Sequence, residues 1–369
     1  MRVERGSDVM AMSGRMAERA ATWFVTRKFL PRVGGMERLS WELTSRIAKR
    51  RSTRVVALRG GSRWLPLFLG YSAVLILANA IRGRILLLHL GDPALAPLGR
   101  LAKLCDVPVC VTVHGLDVMY SHPLYRLWLR TFFGDFDAYI CISSAARAAA
   151  ISRGVPASRA CVIGVGVAAP AAAASADRET DLLLFVGRLV RRKGLEWFVR
   201  IVLPRVAQRR DGVRLAIIGA GPERSAIQKS AVAAGVAGRI TWLGAVPESE
   251  RMTWLCRAAV CIAPNVHVPD DIEGDGIVAL EAAAAGCALI AADLEGLRDA
   301  IVDGQGGRLI ASEDADAWTA AIAELLDDPS RAAALGERAR AWARAERDWE
   351  GVCDRYETLF DAIERGAHS

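Results

Sequence analysis

The chain has 369 residues, more than one hydrophobic core usually fills, and its 52% hydrophobic fraction is enough for two. Its net charge of +7 is split unevenly: residues 1–175 carry 24 Lys+Arg against 10 Asp+Glu (+14), and residues 176–369 carry 24 against 31 (−7). Eight Cys without a C-x-x-C spacing and five scattered His argue against a zinc site or a redox pair, and the thiols are read as buried and reduced. The positive first half implies an anionic partner: nucleic acid, anionic lipid or a phosphorylated substrate. An Arg-rich solvated surface is the competing reading.

Residues 1–20 are polar and lack the apolar core of a signal peptide, so a disordered extension is expected there. Candidate strands follow at Ala21–Thr26, Arg54–Leu58, Arg84–His89, Val107–Val113, Ala138–Ile142 and Ala160–Ile163, with helical stretches such as Met36–Arg51 between them. Trp64–Ile81 is apolar for 18 residues, long enough to consider a membrane span. Pro66, Gly70 and the flanking soluble pattern favour a buried or interfacial helix instead. Ala168–Thr180, with Pro170 and an Ala run, reads as a linker. Six more strands are expected at Asp181–Val186, Val213–Ile218, Arg239–Leu243, Ala259–Ala263, Ala288–Ala292 and Gly307–Ile310. Pro329–Gly366 reads as helix, capped by Asp327 or Asp328 with Pro329 in the first turn. Strands alternating with helices predict an α/β chain of two doubly wound, Rossmann-like domains, 21–170 and 171–345, with ligands at the carboxyl ends of the strands in the cleft between them. A helix over 346–369 is set apart as able to pack back on the first domain.

Two segments carry chemistry. Gly187-Arg188-Leu189-Val190-Arg191-Arg192-Lys193-Gly194 follows a strand and opens a helix, offering free N–H groups and cations to a diphosphate. Arg188 and Lys193 are the candidates, with Arg191 and Arg192 read as solvated; a plain basic loop competes. Between Asn265 and Gly286 an acidic, Gly-containing loop precedes an apolar helix. Carboxylates at Glu273 and Glu281 suit sugar hydroxyls, and Gly274 and Gly276 let a ligand approach the backbone. Glu273 could simply favour the helix N-terminus, whereas the apolar neighbours of Glu281 suggest a largely buried carboxylate.

Glu273 and Glu281 have the E-x7-E spacing of the retaining family 4 glycosyltransferases, which have the GT-B fold, and the stretch resembles that signature. Pro31-Arg32-Val33-Gly34-Gly35-Met36-Glu37 resembles the family's N-terminal Gly-rich loop, and Val113-His114-Gly115-Leu116-Asp117 its His-Gly-x-Asp element. Phe185-Val186-Gly187-Arg188 with Lys193-Gly194 resembles its phosphate loop; Ile218–Glu223 and Leu243–Pro247 resemble two further landmarks. The resemblance runs from Thr22 to about Ala345 and implies roles. Gly34 and Gly35 would serve the donor phosphate. Gly187, Arg188 and Lys193 would hold the diphosphate, Glu281 the ribose, and Glu273 the donor sugar. His114 would lie near the sugar's C6 end. Two departures stand out: Asp275, where the family has an aromatic or aliphatic residue, and Gly164-Val165-Gly166-Val167, where it often has Asn-Gly-Val-Asp.

Gly219-Ala220-Gly221 lacks the third glycine of a dinucleotide fingerprint, since Arg224 stands there. Asp135-Phe136-Asp137 and Asp314-Ala315-Asp316 are read as structural carboxylates, not as metal ligands. The expectation is a metal-independent, cofactor-free hexosyltransferase. It would move a mannose- or glucose-type sugar from a nucleotide diphosphate onto a lipid-linked or cell-envelope polysaccharide acceptor. The N-terminal domain would take the acceptor and the C-terminal domain the donor. No nucleic-acid partner is expected, and the enzyme would work in the cytoplasm or on the inner face of an anionic membrane. A non-catalytic binding protein on a degenerate version of this fold, or a sugar-nucleotide epimerase, are the alternatives.

Overall fold

The structure, a computed structural model, describes residues 20–31, 35–168, 178–269, 271, 273 and 276–366. All but the last residue of the proposed N-terminal extension, most of the proposed linker, and Arg32, Val33, Gly34, Gly274 and Asp275 lie outside these residues.

Twelve strands form two six-stranded sheets, and every pairing is parallel. The first contains β1 Ala21–Thr26, β2 Thr53–Ala57, β3 Ile85–Leu90, β4 Val109–Val113, β5 Ala138–Cys141 and β6 Ala160–Val162, in the order β2-β1-β3-β4-β5-β6. The second contains β7 Glu179–Val186, β8 Arg214–Ile218, β9 Ile240–Gly244, β10 Ala258–Ala263, β11 Ala288–Ala292 and β12 Arg308–Ile310, in the order β12-β11-β10-β7-β8-β9. The central strands are apolar runs because helices cover both faces; all of β1, β4, β10 and β11 is buried.

Helices α1 Gly35–Ile47, α2 Leu65–Ala80, α3 Ala96–Lys103, α4 Leu116–Met119, α5 Pro123–Phe132 and α6 Ser144–Ser152 connect the first sheet. In the second, α7 Leu195–Trp197 runs through a π-turn at Phe198–Val202 into α8 Leu203–Arg209. There follow α9 Arg224–Ala233, α10 Glu248–Arg257, α11 Ile277–Ala284, α12 Glu295–Ala300, α13 Ala315–Asp327, α14 Pro329–Glu346 and α15 Trp349–Gly366. Asp328, not Asp327, caps α14 by accepting the N–H groups of Ser330 and Arg331.

The helical segment Pro329–Gly366 consists of two helices, α14 and α15, separated at Arg347 and Asp348. The break at Arg347 is a joint between the domains. The Arg347 carbonyl accepts the Val167 N–H at 2.8 Å. A side chain at Gly164 would come within 1.8 Å of the Arg347 guanidinium, and one at Gly166 within 2.6 Å of the Trp349 ring. The Arg347 and Trp349 side chains thus occupy the space over Gly164 and Gly166, where the related family often has Asn-Gly-Val-Asp. Beyond the break, α15 crosses to the first domain. Its Asp354 and Glu357 bind Arg50 at 2.6 and 2.9 Å, and Glu350 binds the same guanidinium. Phe360 is fully buried, with its ring centroid 6.0 Å from Phe24 and 6.1 Å from His89.

Helix α2 occupies the long apolar stretch. Sixteen residues span about 24 Å, short of the roughly 30 Å hydrocarbon layer. Among the described residues no helix is long and apolar enough to cross a membrane. Phe68, Ser72 and Ile76 face inward, while Leu67, Tyr71, Val74 and Ile81 are 60–74% exposed. The stretch is therefore half buried and half surface.

His89 is buried among Phe24, Tyr356 and Phe360, and its Nε2 is 2.9 Å from Thr112 Oγ1. Burial, reinforced by His114, lowers its pKa from 6.5 to about 3. Between those values the unfolded chain takes up a proton that the fold refuses. Wild type should therefore lose stability relative to His89→Gln as pH falls below 6.5, by at most ~1.4 kcal/mol per pH unit. Urea titrations of both proteins at pH 7 and pH 5 check this; equal slopes would mean that His89 is protonated in the fold.

Candidate active site

In the second sheet β7 leads one way to β8 and β9, while β10, β11 and β12 lie on its other side. The loops after β7 and β10 therefore flank the point where strand order reverses, the place where doubly wound sheets bind ligands. Backbone contacts press the two loops together. Gly194 has φ +64, and a side chain there would lie 1.8 Å from the Pro264 carbonyl oxygen. The Val266 N–H meets the Arg192 carbonyl at 2.9 Å. On the other flank a side chain at Gly219 would strike the Gly187 carbonyl, so that glycine serves loop packing.

Glu273 sits at this junction, buried. Lys193 Nζ lies 2.6 Å from its Oε2, Asn265 Nδ2 donates to the same oxygen at 2.8 Å, and Arg192 Nε stands 3.8 Å away. Burial pushes the carboxyl up, but the charges of Lys193 and Arg192 and the hydrogen bonds of Lys193 and Asn265 outweigh it. Glu273 is held below the usual carboxylate range and stays ionised. The expectation that Arg192 is solvated is corrected: it is 6% exposed and points between Asp271 and Glu273. The turn over Arg191–Lys193 leaves Arg191 outside and turns Arg192 inward. Arg188 is exposed at the loop's start.

Eight residues on, Glu281 is buried in the second turn of α11. Arg251 of α10 donates to its Oε1 at 2.8 Å. Arg38, from the first turn of α1, reaches it from the other domain at 3.2 Å and also pairs with Glu248. Gly276 starts α11 with φ +55, and a side chain there would lie 2.7 Å from Ala300 Cβ. Gly35 begins α1 opposite; its missing Cβ would lie 3.0 Å from Ile277. The starts of α1 and α11 thus face each other across the cleft.

The first sheet reverses order between β1 and β3. There the Arg27 Nε donates to both oxygens of the fully buried Asp92 at 2.8 Å. Asp92 also accepts the Ala94 N–H at 2.9 Å. His114 follows β4, buried, with its Nε2 3.1 Å from the Gly91 carbonyl. Its backbone N–H meets the Asp117 carboxylate at 3.0 Å. Burial raises Asp117 above the carboxylate range despite His114 and Arg27.

Lys193 and Glu273 are thus in direct contact, Gly187 and Arg188 share the Lys193 loop, and Gly35 meets the helix that carries Glu281. His114 belongs to the first sheet, and Gly34 and Gly274 lie outside the described residues. The sequence reading missed Arg27, Arg38, Asp92, Arg251 and Glu295, and it passed over Asn265. Only Asp92, in a Gly-Asp-Pro turn, carried a local signal. The others depend on which distant chain segment lies beside them. Both Asp-x-Asp segments are engaged locally: Asp135 with Arg100, Asp137 with Lys103, Asp316 with Arg205, and Asp314 as the cap of α13.

Comparison with known proteins agrees with this layout. Residues 4–166 match the glycosyl transferase 4-like domain and residues 180–328 the glycosyl transferases group 1 domain. The chain is 31% identical to a GDP-mannose-dependent alpha-(1-6)-phosphatidylinositol monomannoside mannosyltransferase of Mycolicibacterium smegmatis over 270 residues, 69% of this chain and 70% of that one. It is 30% identical to the phosphatidyl-myo-inositol mannosyltransferase of the same organism, over 75% of this chain and 71% of that one. Sucrose-phosphate synthase from Thermosynechococcus elongatus superposes with a TM-score of 0.75 at 20% identity, covering 94% of this chain and 100% of that one. Anabaena HepE in complex with UDP superposes at 0.71 and 15%, over 93% and 100%. Two parallel-sheet domains facing across a cleft, with the E-x7-E carboxylates beside a basic strand-to-helix loop, make the chain a GT-B glycosyltransferase of the group 1, family 4 type.

Proposed function

We propose that this glycosyltransferase moves a mannose- or glucose-type hexose from a nucleotide diphosphate, with retention of configuration, onto a lipid-linked cell-envelope acceptor. One observation carries the donor half: an ionised, buried Glu273 held by Lys193 where the second sheet reverses order. An ammonium has three donors, so Lys193 can keep Glu273 and still meet a phosphate oxygen. Arg188, exposed on the same loop, supplies a second cation, and the backbone at Gly35 and Gly187 lets the diphosphate lie close. Glu281 would take the ribose hydroxyls, Glu273 the sugar hydroxyls, and His114 the C6 end. Protein cations then do what a divalent metal does elsewhere, stabilising charge on the departing diphosphate. That diphosphate would take the proton of the attacking hydroxyl. Of the two mannosyltransferases named above, one is GDP-mannose-dependent and named for a phosphatidylinositol monomannoside, the other for phosphatidyl-myo-inositol, which supports the sugar and lipid classes.

The acceptor half rests on the surface of the first domain. The outer face of α2 and its two ends show Leu67, Tyr71 and Val74 with the capping Trp64 and Ile81, flanked by Arg63 and Arg82. Helix α2 packs on α3, and α3 on α5, whose Leu124 and Leu127 are also exposed beside Arg126 and Arg130. Apolar surface ringed by arginines suits an anionic bilayer and would bring the cleft to a membrane-embedded acceptor from the cytoplasmic side.

Arg188→Ala and Lys193→Ala should each lower kcat/KM by about 30- to 1000-fold, the ~2–4 kcal/mol of one preorganised electrostatic donor. Turnover should persist in a chelator. Activity within a few-fold of wild type in both variants, or loss on chelation restored by magnesium, would refute the clamp.

Glu281→Gln should weaken binding of bare UDP or GDP about tenfold, while Glu273→Gln should leave it within about twofold and depress turnover. Calorimetry showing the reverse would mean that the two carboxylates exchange roles.

The protein should sediment with phosphatidylserine-containing vesicles at low salt and less as salt rises, since charges are screened beyond about 10 Å at 0.1 M. Replacing Leu67 and Val74 together by Asp should abolish this. Indifference to anionic vesicles at low salt would leave a soluble acceptor.

A further inference from the structure

Glu295 stands where β11 gives way to α12, beside the loop that carries Glu273. Its backbone has φ +46, a left-handed conformation that glycine enters freely and glutamate does not. Its side chain is 16% exposed, and its Oε2 accepts the backbone N–H of Glu273. The next residue, Gly296, donates its own N–H to the Glu273 carbonyl at 3.0 Å. Both backbone polar groups of residue 273 are thus held by the first two residues of α12. The other carboxylate oxygen, Oε1, lies 3.6 Å from His267 Nδ1, further back on the same 264–276 segment.

Side-chain partners alone cannot place Glu273. Lys193, Arg192 and Asn265 fix its carboxylate only if its main chain stays put, and the described part of the segment between β10 and α11 contains neither helix nor strand. An outside tie is needed, and the start of α12 supplies it. A strained left-handed residue persists where the surroundings over-determine it. Glycine would relieve the strain at 295 and would lose the bond to Glu273.

We propose that Glu295 is a positioning residue for sugar transfer, fixing the Glu273 main chain so that its carboxylate meets the donor sugar. This rests on Glu273 binding that sugar, as proposed above. The test compares Glu295→Gly, Glu295→Gln and Glu273→Gln with wild type. The readouts are amide exchange over 264–276, thermal midpoint, and affinity for UDP-glucose and GDP-mannose against bare UDP and GDP.

In Glu295→Gly, amide exchange around residue 273 should speed up at least about tenfold, as one lost hydrogen bond would allow. The thermal midpoint should stay within about 2 °C of wild type, because relief of backbone strain offsets the lost bond. Affinity for whichever sugar nucleotide wild type prefers should drop about tenfold towards that of the bare diphosphate, whose own binding is unchanged. Glu295→Gln keeps an acceptor oxygen and should stay within about threefold of wild type throughout. Unchanged exchange in Glu295→Gly, or equal behaviour of the Gly and Gln variants, would overturn the proposal. If Glu273→Gln does not weaken sugar-nucleotide binding, the donor reading fails instead, and faster exchange in Glu295→Gly would still establish the tie.

Discussion

Glu273 remains ionised in a nearly dry pocket because Lys193, Arg192 and Asn265 converge on it from two loops. Removing a carboxylate from water costs several kcal/mol unless charges and hydrogen bonds replace the solvent, and stripping one partner from a buried pair typically costs about 3–5 kcal/mol. Much of the second domain is arranged around meeting that demand. The loops after β7 and β10 must touch, so Gly194 has to be glycine. Loop 187–194 must also lie flat on loop 219–223, so Gly219 has to be glycine. Lys193, which satisfies the carboxylate, stands just before α7 on the loop proposed to meet the diphosphate.

The cleft is bridged at more than one level. Arg38 crosses to Glu281 and Glu248, and the Asp299 carboxylate accepts the Ser144 N–H at 2.8 Å at the start of α6. Behind the cleft, α14 packs on the second domain and α15 on the first, with Arg347 and Trp349 seated on Gly164 and Gly166 at the corner. The charge asymmetry of the chain has a structural use here. The acidic residues of α15 face Arg50 and Arg51 of the first domain. Part of the first half's positive charge is therefore neutralised within the molecule, and the arginines around α2 and α5 take no part in that pairing.

The sequence by itself determined the twelve strands, because a run of apolar β-formers covered on both faces has few other uses. It also placed Lys193 and Glu273 in the loops that follow β7 and β10, and neighbouring parallel strands bring such loops together. The E-x7-E spacing put Glu281 in the second turn of an apolar helix, and its burial followed from its neighbours. What only the tertiary structure decided was partnership. Three consecutive basic residues, Arg191, Arg192 and Lys193, look alike in sequence; a tight turn sends the first to solvent and the next two towards Glu273. Arg38 and Arg251 reach Glu281 from 243 and 30 residues away, and Glu295 reaches Glu273 from 22 residues away. Helix α2 has no polar face to reveal its outward side, so its half-exposure became visible only once β3 and α3 were packed against it. Local pattern specifies elements because backbone geometry is short-ranged. Side-chain pairing across loops is set by how the sheets are wound, and no window of the sequence contains that.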